Sequence, residues 1–445
     1  MCQPSESPPK TLDDPTDATV AAVVRPPWWK SIGPALITAC VVFGPGSLVI
    51  SSNVGATYGY SLIWLLLLNG VLMATFLSMG ARIGVAGGAS GCTLLAREIG
   101  RPVALLVGLT LCLTCAAFQF SNNLAVAAAV GALVPGQHSA WATTVAVLGL
   151  NVVLIYFLFS ARHIYQVIER VMKVMVAVVL ASFVFNLIAA RPDMWGVLAG
   201  IVPGLPEGVE FGIPRRVGGS IEDPLILIAS LVGTTFSVAG AFFQGNLVRE
   251  KGWSVDDYDR SIGDALTGVG VLALVSMVIM ITAATVIPGR PADDIGSLAL
   301  TLEPLLGPTA FIVFCVGLFA VAMNPFLINA MIGGTILADG AGRPARLSDP
   351  WPRMLTVLVL MIGMVVALMA LRTGQRPVNL MIFGQALTVL GNPLMAGAML
   401  WLANRPQVMG ERRNRLATNL LGGIGFVVVL LLAIRVLWRV ILQLT

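Results

Sequence analysis

Two short stretches of this 445-residue chain have residue types and spacing that could do chemistry inside a membrane. The first is Gly44-Pro45-Gly46-Ser47, within the long apolar run that contains "FGPGSLVISS" (43–52). Proline removes a backbone donor and clashes with the turn before it; flanking glycines loosen the helix further. The second is Ser237-Val238-Ala239-Gly240, in the middle of "LIASLVGTTFSVAGAFFQGNLVREKGW" and followed by Gly245. A helix that restarts after a break presents N–H groups and the positive end of its dipole. Restarts near Gly46-Ser47 and Gly240-Ala241 would therefore suit an anion, and the Ser47 and Ser237 hydroxyls add donors. Lipid cannot satisfy broken backbone, so such breaks survive only against protein or a wet cavity.

The charge inventory narrows the chemistry. Residues 31–81, 102–161, 224–248, 265–289, 304–338 and 377–404 contain no Asp, Glu, Lys or Arg. With no buried acid, base or nucleophile pair, acid–base catalysis lacks its parts. No enzyme activity, no cofactor and no resident metal are expected. The polar groups left for a cation are Ser47, Ser237, Gln385, Asn122, Asn123 and broken-helix carbonyls. They suit a monovalent ion better than a divalent transition metal, which wants thioether, imidazole or carboxylate ligands. Gln244 and Asn246 are placed to line an inner vestibule. Cys112 and Cys115 form a CxxC with no second pair, which reads as small residues packing helix on helix rather than a redox or metal site.

The elements that must position these residues are membrane helices. The chain is 57% hydrophobic and 11% charged, against about 25% charged in soluble domains. At roughly 20 residues per crossing, the pattern predicts eleven spans: 31–54, 60–82, 103–134, 140–161, 168–190, 223–248, 264–288, 308–338, 353–372, 378–403 and 417–441. Residues 1–30 are polar and Pro-rich, without the basic start and apolar core of a signal peptide, and read as a disordered cytoplasmic tail. Lys and Arg divide 19 to 8 between the two sides when the N-terminus is inside. This predicts a cytoplasmic N-terminus and, with an odd span count, an outside C-terminus. The same distribution accounts for the net charge of +5 without a nucleic-acid partner. Arg435 and Arg439, in the last span, are expected to snorkel to the outer interface.

Breaks in spans 1 and 6 stand five helices apart, as two inverted five-helix repeats require. This makes residues 31–441 one transporter domain, with repeats at about 31–190 and 223–403 and an additional helix at about 417–441. Three stretches carry a family resemblance: "GATYGYSLIWLLLLNGVLMATFLSMGARIGV" (55–85), "LFAVAMNPFLINAMIGGTILADG" (318–340) and "GQALTVLGNPLMAGAMLWLANR" (384–405). In these the chain resembles the Nramp family of metal-ion transporters, which implies an all-α, LeuT-type 5+5 inverted repeat with eleven transmembrane helices.

The resemblance also shows departures. The family's span 1 signature is Asp-Pro-Gly-Asn, and here Gly44-Pro45-Gly46-Ser47 stands in its place. The span 6 signature Met-Pro-His falls on Ser237-Val238-Ala239. Asn123 and Val126 occupy positions where the family carries span 3 acids for proton movement, and Gln385 matches a site-lining glutamine. The resemblance implies alternating-access transport of a small inorganic ion; a monomer in the bilayer is expected, and the lack of targeting signals points to a prokaryotic plasma membrane. The losses turn the expected cargo from a transition metal to a small anion such as bicarbonate. The alternatives are a divalent metal transporter (Mn, Fe or Mg) in the family's usual sense and a non-transporting membrane sensor. Coupling to Na+, through carbonyls and Ser51, Ser52 or Asn53, or to H+ stays open, as does uncoupled movement.

Overall fold

The computed structural model describes residues 44–134, 136, 138–160, 184–185, 187–206, 212–218, 220–290, 298–299 and 307–444. The expected tail, the first part of span 1 and most of span 5 lie outside them. Apolar runs bounded by Gly, Pro and polar turns become helices, because only a helix satisfies its own backbone where lipid surrounds it. These are α1 (Pro45–Tyr58), α2 (Ile63–Ala86), α3 (Gly91–Glu98), α4 (Arg101–Leu133), α5 (Ser139–Ser160), α6 (Met194–Ala199), α7 (Ile226–Thr235), α8 (Val238–Glu250), α9 (Tyr258–Val286), α10 (Ala310–Gly340), α11 (Pro350–Leu371), α12 (Pro377–Leu387), α13 (Asn392–Asn404) and α14 (Leu416–Leu444). A small antiparallel hairpin, β1 (Arg215–Val217) and β2 (Ser220–Glu222), precedes α7. Among the described residues, eight helical stretches are long and apolar enough to cross a membrane.

The helices interlock through small residues. A Cβ on Gly80 would collide with the Ala241 carbonyl, and one on Gly84 with the Gly245 carbonyl. The backbones of α2 and α8 thus touch along a Gly-x-x-x-Gly edge, the small-residue contact that brings membrane helices close. A Cβ on Gly340 would lie 2.6 Å from the Ala104 carbonyl, so α10 seats against α4 in the same way. Cys112 and Cys115 are buried free thiols. A Cβ on Gly333 would lie 2.9 Å from the Cys115 Cβ, which places the CxxC in a helix contact.

Three expectations need correction. Span 6 is interrupted earlier than predicted: α7 ends at Thr235 and α8 begins at Val238. Ser237 is the N-cap of α8, accepting the Gly240 N–H at 3.3 Å, so Val238, Ala239 and Gly240 form the first turn rather than the break. Span 10 is not one helix. A 3-10 turn at Thr388–Gly391 separates α12 from α13, and Pro393 at the start of α13 lacks the N–H that a continuous helix would use. Arg435 and Arg439 do not simply snorkel. Arg435 donates to the buried Asp223 carboxylate and, at 2.8 Å, to the Gly212 carbonyl; Arg439 lies 3.5 Å from Asp223 Oδ2. Asp223 also accepts the Leu225 N–H at 3.2 Å, which ties α14 to the start of α7.

Candidate functional site

The start of α1 at Gly44 is where side chains from several elements meet. Gly44 is the N-cap of α1, with extended backbone (φ −119°, ψ −177°) and no side chain to cap the turn it begins. Pro45 takes the first helical position, where its missing N–H costs nothing. The Leu48 N–H makes a helical bond to the Gly44 carbonyl at 3.2 Å. Gly44, Pro45, Gly46 and Ser47 are all buried.

Two neighbours define the Gly44 position. A Cβ there would lie 3.1 Å from Pro325 Cγ and 3.5 Å from Asn122 Oδ1. Pro325 is internal to α10; Asn122 projects from α4. Asn122 is buried, and its Nδ2 has no hydrogen-bond partner among the described residues. Asn123, one residue on, serves another purpose. Its Nδ2 donates to the Gln119 carbonyl at 2.8 Å and its Oδ1 accepts from Asn151 at 2.8 Å. Consecutive helical residues point about 100° apart, so Asn122 faces the α1 terminus while Asn123 binds α4 to α5. Asn123, expected along the pathway, is hydrogen-bonded between α4 and α5. Val126 is fully buried.

Gly46 meets Gln385. A Cβ on Gly46 would overlap the Gln385 carboxamide, so only glycine lets that side chain lie across the helix end. Gln385 Nε2 donates to Ser121 Oγ at 2.9 Å, and its Oε1 has no partner among the described residues. The backbone around Gln385 reaches the interrupted span of α7 and α8. A Cβ on Gly233 would lie 2.6 Å from the Gln385 carbonyl; Thr388 Oγ1 donates to that carbonyl at 2.6 Å and approaches the Gly233 carbonyl at 3.4 Å. The end of α12 therefore spans from α1 to α7. At the second break the Phe236 carbonyl accepts from Asn392 Nδ2 at 3.3 Å.

The structure thus brings Gly44, Gly46, Asn122 and Gln385 together. Ser237, Val238, Ala239 and Gly240 are buried at the start of α8, joined to that cluster through α7 and α12. Gln244 is buried two turns into α8. Ser121 and Pro325, absent from the sequence-predicted set, complete the cluster; their signal was a polar residue and a helix-internal proline inside uncharged spans. Among the described residues, no group of three or more His, Cys, Asp or Glu could hold a metal ion.

A span interrupted at Phe236-Ser237, a second broken at Thr388–Gly391 and a helix start at Gly44, all buried in a membrane bundle, define a secondary-transporter architecture. Comparison with known proteins places it. Residues 35–439 match the family described as "Natural resistance-associated macrophage protein-like", and the chain belongs to this Nramp family of membrane transporters. It is similar to the divalent metal cation transporter MntH of Deinococcus radiodurans, 25% identical over 98% of this chain and 97% of that protein. It is also similar to MntH of Acidiphilium cryptum, 26% identical over 90% of each. The fold matches a crystal structure of the Eremococcus coleocola manganese transporter, with TM-score 0.73 and 18% identity, over 92% of this chain and 86% of that one. The chain therefore has the LeuT-type fold of Nramp transporters as a multi-pass integral membrane protein.

Proposed function

We propose that this chain is an alternating-access transporter whose site takes a small anion, with bicarbonate the best fit in size and abundance. One observation carries this reading. The buried N-terminus of α1 has no capping side chain and no carboxylate at Gly44, and beside it stands the Asn122 carboxamide, whose Oδ1 lies 3.5 Å from a Cβ built at 44 and whose Nδ2 has no partner among the described residues. A helix N-terminus with an adjacent amide donor favours negative charge. A carboxylate at position 44 would repel it. Ser47 contributes a hydroxyl one turn inside the break, and Ser237 keeps a hydroxyl proton while its oxygen caps α8. No Lys or Arg of the uncharged spans supports the charge, so the affinity is weak and suits rapid release. The N-terminus is assigned to the cytoplasm and the C-terminus to the outside of a prokaryotic plasma membrane, and the working unit is a monomer. Coupling to Na+ or H+ is left to experiment.

A second reading has its own support. The relatives are named divalent metal cation transporters. Carbonyls at the breaks, Gln385 Oε1 and a partly retained water shell would then replace the missing ligands, with Mg2+ the least strained cargo.

Purified protein in liposomes decides between them. A trapped pH dye reports on an imposed bicarbonate gradient, and a trapped metal dye on Mn2+ or Mg2+. Bicarbonate flux without metal flux is expected. Gly44→Asp should abolish that flux, because the extended backbone at 44 accepts any residue and Pro325 needs to yield only a few tenths of an ångström. Metal flux in the wild-type chain would overturn the anion reading.

A further inference from the structure

Away from the interrupted helices, a cavity of about 570 Å³ opens between the ends of α8 and α10, beside α3. Three of its lining residues carry buried polar atoms without hydrogen-bond partners among the described residues: Asp339 Oδ2, Thr335 Oγ1 and Asn246 Oδ1. The residues are 3%, 1% and 5% exposed, respectively. All three atoms are oxygens able to accept or coordinate. Thr335 and Asp339 are one turn apart on α10 and so share a face; Asn246 comes from α8.

The other Asp339 oxygen is committed. Its Oδ1 accepts from Ser90 Oγ and Thr93 Oγ1, both at 2.7 Å, which orients the carboxylate. Arg101, the nearest guanidinium in hydrogen-bond terms, spends its contact on the Asp339 carbonyl at 3.1 Å. Both helices also end here, α8 at Glu250 and α10 at Gly340. A helix C-terminus carries partial negative charge and favours a cation. A buried carboxylate oxygen with no donor costs several kcal/mol unless something positive meets it.

We infer that Asp339, Thr335 and Asn246 form a binding site for a single-charge hard cation of the Na+ class, separate from the transport site. Hard cations take oxygen ligands, and this set is a carboxylate, a hydroxyl and a carboxamide. One carboxylate balances one charge. Glu250 also lines the cavity, its Oε1 accepting the Leu347 N–H at 3.0 Å, but Arg249, Arg343 and Arg346 line it too and oppose a second charge; Arg343 is held over the Trp351 ring at 4.7 Å. Asp339 lies 14 residues along α10 from Pro325, about 21 Å at 1.5 Å per residue, so the site does not share ligands with the Gly44 cluster. A cation here would join α3, α8 and α10, and so would bias whichever arrangement of these helices keeps the three oxygens together.

The test uses the full chain in detergent, read at equilibrium and without flux, so that it stands apart from the identity of the cargo. Radioactive sodium binding is measured directly, and unfolding temperature is followed while NaCl replaces choline chloride at constant ionic strength. Saturable sodium binding with a sodium-specific rise in unfolding temperature is expected. Asp339→Asn keeps an acceptor for Ser90 and Thr93 but removes the charge, and should weaken sodium binding by about tenfold or more, the equivalent of one charge-assisted ligand. Thr335→Val and Asn246→Ala, which leave the Asp339 contacts in place, should weaken it in the same direction. Equal responses to sodium and choline, or variants that bind like the parent, would show that the oxygens meet water only and overturn the assignment. Stabilisation by Mg2+ but not by Na+ would overturn the single-charge choice.

Discussion

Gly46 shows how one missing atom shapes the candidate site. The Gln385 carboxamide lies where a Cβ would be. Gly46→Ala should therefore displace Gln385, break its bond to Ser121 and cut flux severely, while costing only about 1–3 kcal/mol of stability, as overpacking typically does. Paired flux and unfolding measurements check both halves. Asp223 is the opposite kind of residue, one whose removal should unfold before it inactivates. Its carboxylate is buried against Arg435 and Arg439. Removing one partner of a buried pair leaves an uncompensated charge and costs about 3–5 kcal/mol. Asp223→Ala should lower the unfolding temperature more than Asp223→Asn, which still offers an acceptor to the Leu225 N–H and to Arg435.

At the scale of elements, the buried starts of α1 and α8 are held by unequal means. The start of α8 is capped by Ser237, and α8 is bound to α2 through Gly80, Gly84 and Gly245. Motion of α8 then requires α2 to move with it or the glycine contact to part. Gly84→Leu should force the two apart and shift a fluorescence or cross-linking report of α2–α8 distance, with lost transport. A variant that transports normally would show that this contact is dispensable. The start of α1 has no such side-chain cap, and its neighbours arrive from α4, α10 and α12. The 3-10 turn at Thr388–Gly391 sits next to Gln385. Tighter 3-10 geometry in mid-helix often marks a hinge, and here it places the α12 end between α1 and α7.

At the scale of the whole molecule, the fold is that of an Nramp-family transporter, while Gly44, Ser47 and Ser237-Val238-Ala239 depart from the signatures that the sequence resemblance aligns with them. Fold does not fix cargo. What decides cargo is the sign of charge that the buried cluster tolerates, and this is why liposome flux with and without Gly44→Asp is the deciding experiment. The Na+ site inferred at Asp339 belongs to the same scale, because it would link three helices, α3, α8 and α10.

The membrane class, most of the span positions and the helix start at Gly44-Pro45-Gly46 were legible in the sequence, because each rests on local covalent chemistry: apolar run length, a ring without an N–H, a residue without a Cβ. Asn122 and Gln385 were legible as polar residues in uncharged spans. Their meeting at Gly44 and Gly46, the assignment of Asn123 to α5 instead, and the Arg435–Asp223 pair were not. Nor was the lining of one cavity by Asn246, Thr335 and Asp339. Those facts depend on helix rotation and on contacts between residues far apart in the chain. Periodicity fixes which residues share a face of one helix; only tertiary packing decides which face meets which, and therefore which polar atoms find partners and which are left for a ligand.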